Sequence, residues 1–137
     1  MPGQSVDPSE NVSRFLFKDN IRVLDNVIKP AAFLPTASPF EVSVFRTSEL
    51  SEQAIWQLAV EQVEPERSHV KGPVIGRGDL TVTILIEENL RVRPDQDLVS
   101  RHADIVNWPV DRAARATVAK VLAAKASPAK KRELSAT

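Results

Sequence analysis

The stretch FEVSVFRTSELSEQAIWQLAVEQVEP, residues 40–65, changes its hydrophobic period part-way, and that change decides the fold class. From Phe40 to Arg46 the period is two. Phe40, Val42 and Val44 share one face and Glu41 and Ser43 the other, as in a half-buried strand. The same rule puts Arg46 on the apolar face at the strand's end, where a cation must pair with a carboxylate or look into a cleft. From Ser51 onward the period lengthens to that of a helix. Ser51 can cap it, Leu50 and Ile55 form a hydrophobic staple across its start, and Glu52 suits the positive end of its dipole. Ile55, Leu58, Ala59 and Val63 make one apolar face, widened by Trp56 and Val60. Glu64-Pro65 is expected to end this helix.

On the N-terminal side, residues 29–39 hold Pro30, Pro35 and Pro39 around Phe33-Leu34, which predicts an ordered loop pinned by its apolar pair. Before it, the Phe15-Leu16-Phe17 cluster and the alternating Ile21-Arg22-Val23-Leu24 read as two short strands or one hairpin, with turn signals at Lys18-Asp19-Asn20 and Asp25-Asn26. Residues 1–13 are polar and are expected to be a flexible arm.

On the C-terminal side, residues 65–78 read as loop. Leu80, Val82, Ile84 and Ile86 alternate with polar residues, which predicts a strand; Leu90 and Val92 alternate with Arg91 and Arg93 beyond Glu87-Glu88-Asn89, completing a hairpin. Ala103-Asp104-Ile105-Val106 is a short strand. A second helix is predicted from Pro109 to about Ala126, with Asn107 or Trp108 near its cap and Val110, Ala114, Val118, Val121 and Leu122 as its packing stripe. Ser127-Pro128 ends it, and residues 127–137 are expected to be a flexible basic tail.

The predicted fold is therefore α+β: a single small domain over residues 14–126, with a mixed or mostly antiparallel sheet of four to five strands and two helices packed on one face.

The 137 residues are enough to bury one core. There is no cysteine, which excludes disulfides, thiolate metal sites and cysteine nucleophiles. No apolar run approaches the ~18 residues of a membrane span, and no basic and apolar leader opens the chain, so a soluble cytoplasmic protein is expected. Net charge is zero but uneven. Residues 41–66 carry glutamates at 41, 49, 52, 61, 64 and 66 against Arg46 alone; residues 110–132 carry Arg112, Arg115, Lys120, Lys125, Lys130, Lys131 and Arg132 against Asp111 alone. Such asymmetry either steers a partner or lets the two regions pair with each other.

Polar chemistry concentrates in Arg101-His102-Ala103-Asp104-Ile105-Val106-Asn107-Trp108-Pro109. On a strand, His102 and Asp104 point the same way, and a carboxylate beside a histidine makes a workable acid–base pair. Arg46, Arg77 and Arg101 each lie at a strand end or beside glycine. If those ends converge they cradle a phosphate or carboxylate, with Asp79 as the competing ion-pair partner and Trp108 as a stacking surface. The run Gly72-Pro73-Val74-Ile75-Gly76-Arg77-Gly78-Asp79 matches neither the dinucleotide nor the P-loop fingerprint. No metal site and no cofactor motif is evident.

The expected function is a non-catalytic binding or protein-interaction module with an anion-accepting pocket built from Arg46, Arg77, Asp79, Arg101, His102 and Trp108. The alternative is a small metal-independent enzyme acting on a phosphate-containing or nucleotide/RNA substrate, with His102 as acid/base and Asp104 as its orienter. Nucleic-acid binding through the basic residues 112–132 is the third expectation, weakened by zero net charge.

Overall fold

The computed structural model describes residues 6–22, 24–95 and 100–132. Its elements are strands β1 (Asn11–Leu16), β2 (Ile21–Arg22), β3 (Val27–Ile28) and β4 (Val42–Arg46), then helix α1 (Glu52–Leu58), a π-helical segment (Ala59–Val63) and helix α2 (Glu64–Lys71). There follow β5 (Gly76–Thr81), α3 (Val82–Glu87), β6 (Arg91–Pro94), β7 (His102–Val106), α4 (Arg112–Ala126) and β8 (Lys130–Lys131). The class is α+β. The main sheet has six strands, antiparallel throughout, in the order β6-β7-β4-β1-β5-β8, and β2-β3 forms a separate hairpin.

Strand β1 sits inside the sheet and is apolar on both faces. Val12 and Leu16 join one core with Phe33 and with Leu122, Ala123 and Ala126 of α4. Phe15, followed by Phe17, joins a second core with Phe45, Ile55, Ala59 and Val74. Helices therefore cover both sides of the sheet, α4 on one and α1–α2 on the other, rather than one side as expected. The Phe15-Leu16-Phe17 run carries the reason: a strand buried on two faces reads as continuously apolar rather than alternating.

Helix α1 begins as its sequence predicts, with the Ser51 hydroxyl accepting from the Ala54 N–H at 3.1 Å. It does not stop at Pro65. The proline has no N–H, and its ring crowds the carbonyl four residues back. That carbonyl belongs to Glu61, inside the π-helical segment, so the helix widens there and continues as α2. Gly72, at φ 79°, takes the left-handed conformation just past the end of α2.

The predicted strand over Leu80–Ile86 is a strand only as far as Thr81. Beyond it the backbone N–H groups of Val82 and Thr83 donate to Glu10 O (2.9 Å) and Pro8 O (3.0 Å), and the chain turns into α3. Val82 and Leu85 are buried, whereas Ile86 is 48% exposed. Consequently β6 pairs with β7, not with the segment before it. The second long helix also starts later than expected. Asp111, not Asn107 or Trp108, caps α4, accepting from the Ala114 N–H at 2.8 Å. Val110 thus lies outside the helix and is exposed, and the buried face is Arg115, Ala119, Leu122, Ala123 and Ala126.

Residues 11–13, expected in the N-terminal arm, open β1, and residues 130–131, expected in the tail, pair with β5 as β8. Residues 1–5 of that arm and 133–137 of that tail lie outside the described residues. Among the described residues no helix is long and apolar enough to cross a membrane. Leu85→Ala should cost about 2–5 kcal/mol in urea unfolding and Ile86→Ala less than about 0.5 kcal/mol; equal losses at both positions would contradict the inward face of α3.

Candidate functional site

The residues singled out in the sequence do not share one pocket. Arg46 points to the α4 side of the sheet, as its pairing with Val12 requires. It is held bidentately by Glu10, Nε to Oε1 at 3.0 Å and Nη2 to Oε2 at 2.9 Å. Arg101 lies beside it in a polar cleft that also contains Asp7, Glu10 and Glu49. Arg77 points to the opposite side, as its pairing with Phe15 requires. There it is almost wholly buried: its terminal nitrogens donate to both oxygens of Glu52 at 2.8 Å, its Nε donates to Asp79 at 3.0 Å, and its plane lies 4.8 Å from the centre of the Trp56 ring. Trp108 is buried in the main core, with Nε1–H donated to Ile105 O at 3.0 Å. The expected convergence of Arg46, Arg77 and His102 therefore does not occur.

Of these residues only His102 lines the cavity described next. His102 pairs with Phe45 across β7 and β4 and meets its ring edge-on, centroids 5.6 Å apart. Its Nδ1 lies 3.2 Å from Asp95 Oδ2, and its Nε2 lies 3.7 Å from Asp104 Oδ1. Asp104 in turn accepts from Arg93 and from the Ser43 hydroxyl. The strand rule put His102 and Asp104 on one side, and so they are.

The residue that sequence reasoning missed is Arg14. Strand β1 pairs with β5 along all six of its residues, but its ladder to β4 has only Val12↔Arg46 and Ser13↔Phe45. Arg14 occupies the opening beyond that break. Its Nε donates to Ala32 O and its Nη1 to Ser43 O, both at 2.9 Å. These are neutral acceptors, and among the described residues no carboxylate pairs with it. The remaining N–H donors of the five carry no hydrogen bond among the described residues. Among the described residues no sealed side-chain nitrogen or oxygen lacks a partner, so these donors face open space, and Arg14 lines a cavity of about 130 Å³.

Phe15, Phe17 and Phe45 line the sheet side of that cavity; Gln62 and Val63 of the π-helical segment and Glu66 and Arg67 of α2 line the helical side. Burial, and then the positive charge of Arg67, lower the Arg14 pKa to about 10, which leaves it cationic at neutral pH. A π-helical segment changes the phase of a helix. Here α1 presents Glu52 to Arg77, and the residues after the change present themselves to the cavity. The arrangement offers a fixed, under-neutralised guanidinium at the base of an aromatic hollow.

The basic C-terminal region is partly spent on internal contacts. Arg115 lies 3.8 Å over the Phe40 ring, Arg132 pairs with Glu64 at 2.6 Å, and Lys130 reaches Asp79 at 3.5 Å. The Arg132–Glu64 pair joins the acidic stretch 41–66 to the basic stretch 110–132. Among the described residues no group of three His, Asp or Glu side chains could hold a metal ion. Comparison of the chain with protein-family models, with curated proteins and with solved structures gives no match.

The Arg77 clamp is structural, and its removal separates it from the cavity. Glu52 is held below the ordinary carboxylate value chiefly by the hydrogen bonds from Arg77. A lowered folded-state pKa adds stability above the unfolded value and loses it as pH falls through the folded one. Arg77→Met should cost about 3 kcal/mol at neutral pH and flatten the acid limb of the stability profile. An unchanged acid limb would show that Glu52 does not act through Arg77.

Proposed function

We propose that this protein is a non-catalytic binding module that accepts a small anion, a carboxylate or a phosphate, on the Arg14 guanidinium. One observation carries the reading: a half-buried cation has neutral carbonyl partners, no carboxylate partner among the described residues, and unspent donors facing a cavity. Taking a charge out of water costs several kcal/mol unless it is paired. The two carbonyls orient the guanidinium plane without neutralising it. An anion entering the cavity supplies the missing charge and accepts the remaining N–H groups, in the geometry that guanidinium favours.

A second reading is favoured by His102, which borders the same cavity between Asp95 and Asp104. In that reading the protein is a metal-independent enzyme on a phosphate-containing or nucleotide substrate, with His102 as acid/base and Asp104 as its orienter. It requires turnover of a phosphodiester that His102→Gln abolishes.

The binding reading is tested by titrating phosphate, formate and acetate into the ¹⁵N-labelled protein while following the Arg14 Nε–Hε resonance and the Gln62 amide. At least one anion should shift both saturably. Arg14→Gln should weaken that binding by about tenfold or more, the loss of one charge-assisted hydrogen bond. Arg14→Lys, which keeps the charge, guards against a variant that merely unfolds. No saturable shift with any of the three anions would overturn the reading.

A further inference from the structure

We infer that the anion is a planar aromatic carboxylate, seated with its ring among Phe15, Phe17 and Phe45 and its carboxylate on Arg14; this rests on the binding reading above and names its ligand class.

The first argument is the distribution of rings. The whole chain has five phenylalanines, and three of them line this one cavity. Phe15 and Phe45 lie 5.6 Å apart at 48°, and Phe45 meets His102 at 5.6 Å and 72°. These tilted and edge-on contacts are the ones that aromatic quadrupoles favour. A further flat ring extends the same cluster, whereas an inorganic anion makes no such contact.

The second argument is size. At about 130 Å³ the cavity is well below the roughly 300–1,000 Å³ of sites for drug-sized ligands. It has room for a single ring and its substituent, not for a nucleotide.

The third is the charge and donor set. Phosphate sites are built from several backbone N–H groups at glycine-rich turns or helix starts. Among the described residues no glycine lines this cavity, and the Arg14 guanidinium supplies its fixed donors. Glu66 stands on the helical side with Arg67, so the net positive charge around the cavity is small. A singly charged pair of oxygens matches this small net charge better than a multiply charged anion does.

The test is calorimetric titration of the full chain with benzoate, cyclohexanecarboxylate, acetate and inorganic phosphate. Benzoate should bind at least about tenfold more tightly than acetate or phosphate, the increment expected of a buried ring. It should also bind more tightly than cyclohexanecarboxylate, and its protons should give nuclear Overhauser contacts to the Phe15, Phe17 or Phe45 rings. Phe17→Leu, whose fold is checked by its unfolding curve, should weaken benzoate and leave acetate unchanged. Phosphate or acetate binding as well as benzoate would overturn the ligand class and leave the anion reading standing. Cyclohexanecarboxylate binding as well as benzoate would overturn the aromatic preference. Failure of all four would overturn both.

Discussion

Strand β1 is paired on both edges and covered on both faces, and the rest of the molecule follows from keeping it so. Val12 and Leu16 hold the layer of α4; Phe15 holds the layer of α1 and α2. Into this doubly buried strand the sequence inserts a cation, Arg14. Leaving it buried and unpaired inside an intact sheet would be prohibitive. The structure's answer is to end the β1–β4 ladder early and let the guanidinium take carbonyls at the edges of the gap. The break in the sheet and the cavity beside it meet at this one side chain.

The α1–α2 layer is fixed on either side of that cavity by charge. At its start, Glu52 grips Arg77 and Trp56 lies over the same guanidinium. At its middle, Glu64 accepts from the Val74 backbone N–H at 2.9 Å and from Arg132 at 2.6 Å. The π-helical segment lies between these two attachments. Pro65 therefore acts at a distance: by widening the helix just before it, it sets the phase at which Gln62, Val63, Glu66 and Arg67 meet the sheet.

Much of the scaffold was legible from local pattern. The β4 alternation, the Ser51 cap, the short strand through Ala103–Val106 and the stop at Ser127-Pro128 are each signalled by residues within a few positions of each other, and all appear. The failures share a cause as well. Leu80–Ile86 alternates like a strand, but the Val82 and Thr83 N–H groups that decide its ending bond to Pro8 and Glu10, more than seventy positions away. Val110 belongs to an apolar period, but the Asp111 cap excludes it from the helix. As for the site, the rule that flagged Arg46 as a cation on an apolar face applies equally to Arg14 between Val12 and Leu16. It went unused because the strand's start at Asn11 was read as a polar arm. What no local rule could supply was which of the two arginines would find a carboxylate.

That difference decides which guanidinium is open to an added anion under the proposed binding reading. At Arg46 and Arg77 an incoming anion would have to displace a carboxylate tethered to the same chain and already bidentate. A tethered competitor acts at a high effective concentration, so a free small anion loses to it. Arg115, a buried guanidinium that also has carbonyl partners, is capped by the face of Phe40, which occupies its approach. Arg14 alone among these four combines partners that do not compete with an anion and an opening toward a cavity. Its two carbonyls hold the guanidinium plane in place before any ligand arrives, so little rotamer freedom remains to be lost on binding. Strand position, the feature visible in the sequence, marks Arg14, Arg46 and Arg77 alike; the state of compensation of each charge is what sets Arg14 apart.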